Sequence, residues 1–364
     1  MKSYIIKGGK KLEGTVNISG SKNASLPIIA GTILSGKKIK LYNVPNISDT
    51  QITLKILENL GCNIKKNGGK IEINSNKMNK TNIPEDMMNK MRSTVIMAGA
   101  IIGRFHQVEF SYPGGCEIGA RPIDLHLMAF KKLGINIEEK YGFIRCSCDR
   151  IIGTEISLDF PSVGATENII LATVLSEGVT TISNAAMEPE IKDLADFLNT
   201  MGAKITGAGT NKIKITGVKQ LKSIGYNIMP DRIETGTFLC MAAVTGGNIK
   251  ILNTIPDNIT PVIDKLSQMG CNIKVHKNQI DINAPRKLKS VDIKTMPYPG
   301  FPTDMQSVFG SILTLSKGTS IIVENIFENR YKYLNELKKM GAKVSIEGKT
   351  AIIKGVKKLN RNNS

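Results

Sequence analysis

One pattern recurs along the 364 residues and constrains the fold more than any other feature: a helix tail ending in Leu or Met, then Gly, then a short alternating strand. It reads Leu57-Glu58-Asn59-Leu60-Gly61-Cys62-Asn63-Ile64, then Phe130-Lys131-Lys132-Leu133-Gly134-Ile135-Asn136-Ile137. It returns as Leu198-Asn199-Thr200-Met201-Gly202, as Leu266-Ser267-Gln268-Met269-Gly270, and as Leu337-Lys338-Lys339-Met340-Gly341. The five glycines lie 73, 68, 68 and 71 residues apart. Each stands where a helix C-terminus takes a left-handed residue before the chain turns into a strand. A period of about 70 residues is too long for a solenoid, so each repeat is predicted to be a small α/β layer that buries its helices against its siblings.

The first copy fills in the unit. Gly14 to Ser19 alternates as a strand, Ser21 to Ser35 is an apolar helix, and Lys38 to Val44 is a second strand. A helix from Asp49 to Leu60 follows, then a hairpin turning near Asn67-Gly68, a pair suited to positive backbone dihedrals. The predicted order is strand, helix, strand, helix, strand, strand. With 41% apolar residues, the chain has material for a sizeable core and length for two domains.

One stretch breaks the pattern: Tyr112-Pro113-Gly114-Gly115-Cys116-Glu117-Ile118-Gly119-Ala120-Arg121-Pro122-Ile123-Asp124-Leu125-His126. Its glycines and prolines exclude a helix interior or a central strand, so it is predicted to be a loop. Cys116 sits among permissive glycines close to Arg121, and a fixed positive charge lowers a thiol's pKa toward the reactive range. A buried inert thiol is the alternative.

Three further places carry chemical character. In Ser19-Gly20-Ser21-Lys22-Asn23-Ala24-Ser25 a lysine and an amide stand at a helix start, which suits an anion or, equally, ordinary capping. Arg92 and Arg121 offer planar guanidinium forks for phosphate, with a surface ion pair as the alternative. In Pro297-Tyr298-Pro299-Gly300-Phe301-Pro302-Thr303-Asp304, three prolines stiffen the backbone and present Asp304 just before an apolar helix, as a reactive carboxylate or as an N-cap.

The string PGGCEIGARPIDLH resembles the active-site loop of the UDP-N-acetylglucosamine 1-carboxyvinyltransferase family, enolpyruvyl transferases that open peptidoglycan synthesis, and further matches run from residue 6 to about residue 359. The resemblance implies an α/β fold (α+β by some schemes) of two similar domains, each of repeated βαβαββ units in an inverse α/β barrel, facing each other across a cleft. It divides the chain into 1–21 plus 230–364 and 22–229, the latter carrying the Cys116 loop. Gly225 to Asp231 has the Gly and Pro punctuation of the return crossing. The family has six units and the count to Ser364 is five, so low activity of this chain is an expectation from the sequence.

The resemblance also implies roles. Phosphoenolpyruvate and UDP-N-acetylglucosamine are the substrates, with no cofactor and no metal. Lys22, Asn23 and Arg121 meet the phosphoenolpyruvate, and Arg92 meets the sugar nucleotide. Arg121, Pro122, Ile123, Asp124 and Leu125 line the uridine pocket, and Ser162, Val163 and Gly164 take the diphosphate. Many family members carry lysine where this chain has Phe160. Asp304 faces the attacking sugar hydroxyl, Ile326 packs on the substrate, and Glu188, Glu190, Asp231 and Arg232 lend electrostatic support. Cys116 is the expected acid, Asp304 the expected base, and Lys22 with Arg121 the expected stabilisers of phosphate charge.

Composition weighs the competing readings. Lys+Arg 49 against Asp+Glu 31 gives a net +18, which favours an anionic partner. Nucleic acid is disfavoured, because Trp is absent, aromatics are 5% and basic residues are dispersed. Six cysteines without a C-x-x-C pair indicate neither zinc nor a redox motif, and point to a reduced cytoplasmic setting. The longest apolar run, Val95 to Gly103, is about half of a membrane span. A shikimate-pathway enolpyruvyl transferase would lack the PGGC loop, and a non-catalytic UDP-sugar-binding paralogue would not need Cys116, Lys22, Arg121 and Asp304 together.

Overall fold

The computed structural model describes residues 8–112 and 123–360. The chain forms two compact units, a middle one of residues 19–112 and 123–229 and an outer one of residues 8–18 and 230–360. The helices are α1 (Lys22–Gly31), α2 (Ser48–Asn59), α3 (Glu85–Lys90), α4 (Ile96–Phe105), α5 (Asp124–Lys132), α6 (Val163–Thr173), α7 (Pro189–Thr200), α8 (Arg232–Thr245), α9 (Thr260–Gln268), α10 (Gln306–Leu313) and α11 (Lys332–Lys339).

Among the described residues, the middle unit holds three sheets. One runs Gly225–Asn227, Lys38–Tyr42, Lys70–Asn74, Asn63–Asn67, and a second runs Gln107–Ser111, Phe143–Ser147, Asn136–Lys140. The third runs Glu155–Ser157, Val179–Ser183, Lys212–Thr216, Lys204–Thr206. The outer unit holds two: Glu13–Asn17, Asn248–Leu252, Gln279–Asn283, Asn272–His276, and Ile293–Lys294, Thr319–Val323, Thr350–Lys354, Lys343–Glu347. In each four-stranded sheet the first pair is parallel and the rest antiparallel.

The alternation in each strand explains the layering. Ile39 and Leu41 turn inward while Lys38 faces water, so the sheet has one solvated face and one packed face. Helices α1, α4 and α6 have no polar stripe and are buried all round, from Ala24 to Gly31, from Ile96 to Gly103 and from Ala165 to Thr173. Helix α4 approaches α6 closely because Gly99 lacks a side chain; a Cβ there would lie 2.6 Å from the Asn168 carbonyl oxygen.

The repeated glycines are chain reversals of one kind. Gly61, Gly134, Gly202, Gly270 and Gly341 all have positive φ, from 79° to 103°. After α2, Cys62 N–H donates to Leu57 O and Gly61 N–H to Glu58 O, the paired bonds of a Schellman motif. The same two bonds recur after α5, α7, α9 and α11.

Two local expectations need correcting. The strand at Glu13–Asn17 does not complete the first repeat; it pairs in parallel with Asn248–Leu252 of the fourth, and Gly225–Asn227 supplies the first repeat's parallel edge. Periodicity identifies a strand but not a partner more than 200 residues away. The first apolar helix is also shorter than expected, because it ends in a 3₁₀ turn at Thr32–Ser35.

Candidate active site

In the middle unit the expected substrate-binding residues cluster at helix starts. Ser21 caps α1, its Oγ accepting from Ala24 N–H at 3.3 Å, so capping falls to Ser21 while Lys22 and Asn23 occupy the first turn. Lys22 Nζ lies 3.8 Å from Asp49 Oδ2, and its side chain is about half exposed. Ser162 caps α6 in the same manner, its Oγ accepting from Ala165 N–H at 3.3 Å, and the first turn carries no acidic residue. The N-terminus of α6 therefore combines free N–H groups with a dipole that favours an anion over Ser162, Val163 and Gly164.

Helix α5 opens beside it. Ile123 is its buried N-cap, Asp124 and Leu125 begin the helix, and buried His126 lies against Gly164. Asn168 of α6 organises this contact. Its Oδ1 accepts from Gly99 N–H at 2.8 Å, and its Nδ2 donates to Val95 O at 3.1 Å and approaches His126 Nδ1 at 2.6 Å. Arg92 begins the 3₁₀ turn ahead of α4.

The middle unit also buries acid. Glu167 is fully enclosed, and burial, reinforced by Glu190 and Glu188, pushes its carboxyl well above the ordinary range. Glu188 is the N-cap of α7 and Glu190 lies in its first turn. Asp193 of α7 accepts from Tyr226 O–H at 2.7 Å and Met229 N–H at 3.2 Å, yet burial still raises it to about 6.

The outer unit carries the second set. Asp304 lies inside a 3₁₀ turn, Thr303–Met305, whose N-cap is Pro302, so it is not the helix cap considered from sequence. Arg330 Nη2 donates to Asp304 Oδ1 at 2.8 Å, with the arginine mostly buried and the aspartate 41% exposed. The guanidinium also stacks 5.2 Å over the Phe327 ring. Asp231 caps α8, its Oδ1 accepting from Ile233 and Glu234 N–H at 2.7 and 2.9 Å, and Arg232 stacks 5.7 Å over Tyr298. Ile326 is half-buried in the turn after Thr319–Val323.

Cys116, Arg121 and Pro122 lie outside the described residues. The other five cysteines are all disfavoured as thiolates: burial raises Cys62 and Cys271 to about 11, Cys146 to about 12, and Cys148 and Cys240 above their usual value. Sequence reasoning missed His126 and Asn168 as partners. The signal available was Glu167-Asn168, two polar residues in an otherwise apolar helix, which buried satisfaction rules mark as special. No helix among the described residues is long and apolar enough to cross a membrane.

Comparison with known proteins follows the same lines. The family model described as EPSP synthase (3-phosphoshikimate 1-carboxyvinyltransferase) matches residues 6–363. UDP-N-acetylglucosamine 1-carboxyvinyltransferase 2 of Caldanaerobacter subterraneus subsp. tengcongensis is 49% identical over 360 residues, covering 99% of this chain and 86% of the relative. The protein of that name from Carboxydothermus hydrogenoformans is 46% identical over 361 residues, with the same coverage of 99% and 86%. The solved enolpyruvyl transferase NikO from Streptomyces tendae shares the fold at TM-score 0.85 and 20% identity, covering 96% of this chain and 83% of that one. With a matching family model over nearly its whole length and relatives at this identity, the chain belongs to the EPSP synthase family of carboxyvinyltransferases.

Proposed function

We propose that this protein transfers the enolpyruvyl group of phosphoenolpyruvate to the 3′-hydroxyl of UDP-N-acetylglucosamine, releasing phosphate. The observation that carries this reading is 49% identity across 99% of the chain to a relative of that name. Two anion-ready helix starts, at Lys22 and at Ser162, suit a substrate pair rich in phosphate.

The enol ether-like carbon of phosphoenolpyruvate becomes electrophilic only when its neighbouring carbon is protonated, and Cys116 supplies that proton. Asp304 accepts the proton of the attacking sugar hydroxyl, held in place by Arg330. Lys22 and Arg121 stabilise phosphate charge through addition and elimination. Arg92, Asn23 and the segment from Arg121 through Pro122, Ile123 and Asp124 to Leu125 bind the nucleotide and phosphoenolpyruvate, Ser162, Val163 and Gly164 take the diphosphate, and Ile326 packs on the sugar. The reaction places the protein at the start of peptidoglycan synthesis in the cytoplasm, with consequences for cell shape and division, and makes Cys116 the target of fosfomycin.

The test is phosphate release from phosphoenolpyruvate with the purified chain. Release is expected with UDP-N-acetylglucosamine and not with 3-phosphoshikimate. Release with 3-phosphoshikimate instead, or no dependence on the sugar nucleotide, would overturn the reading.

A further inference from the structure

Glu324 directly follows the strand Thr319–Val323 and is 1% exposed, a carboxyl group taken out of water with both oxygens hydrogen-bonded. Its Oε1 accepts from Thr295 Oγ1 at 2.8 Å, from Ile326 N–H at 2.8 Å and from Phe327 N–H at 3.2 Å. Its Oε2 accepts from Thr303 Oγ1 at 3.0 Å. All four partners donate, which suits an acceptor-only carboxylate, and charge-assisted bonds of this kind are stronger than neutral ones.

The partners come from two separate segments. Ile326 and Phe327 form the turn after the strand, while Thr295 and Thr303 bracket the proline-rich loop whose end carries Asp304. Fully buried Thr295 closes the arrangement, because its Oγ1 accepts from Asn325 N–H at 2.9 Å while donating to Glu324. One side chain therefore clasps the Asp304 turn to the Ile326 turn, and Arg330, a few residues along, reaches back to Asp304.

We infer that Glu324 is a positioning residue for the transfer reaction, fixing Asp304 relative to the turn that presents Ile326 to the sugar. The inference rests on the proposed roles of Asp304 and Ile326, but the clasp is a property of the fold that can be measured without turnover. A group held loosely by even about 1 Å can lose about a hundredfold in rate, so the effect should fall on kcat. All four bonds are internal to the protein, and the one to Ile326 uses its backbone N–H and not the side chain that packs on the sugar, so binding should change less than turnover.

Two measurements test it on the full chain. In amide hydrogen exchange, Glu324→Met and the milder Thr303→Val should both speed exchange in the Thr303–Met305 turn, while the sheet around Asn248–Leu252 stays unchanged. In kinetics, Glu324→Met should lower kcat about 30-fold or more with KM values within about threefold. The same change in an Asp304→Asn background should cost less than about threefold, since a residue acting through Asp304 has nothing left to position. Glu324→Gln, which keeps an oxygen for the Oε1 donors, should recover most of the rate. Unchanged exchange at 303–305, or losses that simply add in the double variant, would overturn the inference. If the unmodified chain released no phosphate with UDP-N-acetylglucosamine, the proposed function would fail and the exchange result would decide the clasp alone.

Discussion

Asn168 Nδ2 lies 2.6 Å from His126 Nδ1, and the direction of that hydrogen bond is fixed by the rest of the Asn168 amide. The amide oxygen is engaged by Gly99 N–H and the nitrogen by Val95 O, so it is the nitrogen that faces the ring and donates. His126 must then accept at Nδ1 and carry its proton on Nε2. That nitrogen and Cε1 abut Gly164, so the tautomer of a buried histidine and the start of α6 are set by one asparagine.

The contact leaves little room for a side chain at 164. A Cβ on Gly164 would lie 3.1 Å from His126 Cε1 and 3.3 Å from Nε2, against a ring that is 8% exposed and held by Asn168. Gly164→Ala should displace the first turn of α6 and weaken UDP binding roughly tenfold, the scale of an overpacking penalty of 1–3 kcal/mol, with kcat nearly unchanged. Calorimetry with UDP measures it, and unaltered affinity would show that the turn does not hold the diphosphate.

Thiol reactivity should be confined to one position. Burial holds Cys62 and Cys271 near 11 and Cys146 near 12, and raises Cys148 and Cys240 as well, so at pH 7.5 these five are protonated. Brief treatment with iodoacetamide or fosfomycin should label Cys116, and peptide mapping should find the adduct there with the other five nearly unmodified. A main adduct on any of the five would mean that Cys116 is not the activated thiol.

What the sequence disclosed was local, and what it hid was pairwise. The five reversals at Gly61, Gly134, Gly202, Gly270 and Gly341 were legible because a left-handed helix end restricts residue choice at a single position. The helix start at Lys22 was legible for a similar reason, as a short polar run ahead of an apolar helix. The partner of Glu13–Asn17 was not, since a parallel pairing across the chain leaves no mark in either strand. For Asp304 the sequence left a cap open beside a reactive carboxylate, because capping is judged from neighbours in sequence, whereas its bond to Arg330 is set by the turn that follows a distant strand. Nothing in the sequence around Glu324 marks it as buried, because two of its four donors lie on the separate segment at Thr295 and Thr303.

The middle unit should lose stability as pH rises through the weakly acidic range. Asp193 is lifted from an ordinary 3.8 to about 6, chiefly by burial. A carboxyl raised in the folded state binds more protons there than when unfolded, so its contribution is full below about pH 4 and is lost as pH rises through about 6. The span corresponds to a penalty on the order of 3 kcal/mol for ionising it in place. Buried Glu167 acts in the same sense. Asp193→Asn should flatten the dependence between pH 4 and 6, measured by denaturant unfolding followed on the middle unit. An equal slope in the variant would assign the dependence to other groups.

Asp304 and Arg330 separate chemistry from binding. Asp304 keeps 41% of its side chain exposed while Arg330 holds one oxygen at 2.8 Å, an arrangement that fixes the carboxylate and leaves it accessible to a substrate hydroxyl. If Asp304 takes the proton as the sugar oxygen attacks, its loss removes an interaction made in the transition state and not in the ground state. Asp304→Ala should therefore reduce kcat by about 10²- to 10⁴-fold while KM for UDP-N-acetylglucosamine stays within a few-fold. Arg330 acts by holding. Its guanidinium both donates to Asp304 and lies over the Phe327 ring, and a lysine cannot keep the planar stack together with the directed bond. Arg330→Lys should thus cost about tenfold in kcat, and most of that cost should vanish when Asp304 is already alanine. Steady-state kinetics on the two single variants and the double variant decides it: a raised KM with unchanged kcat for Asp304→Ala would make Asp304 a binding residue, and an undiminished Arg330 effect in the double variant would give the arginine a contact of its own with substrate.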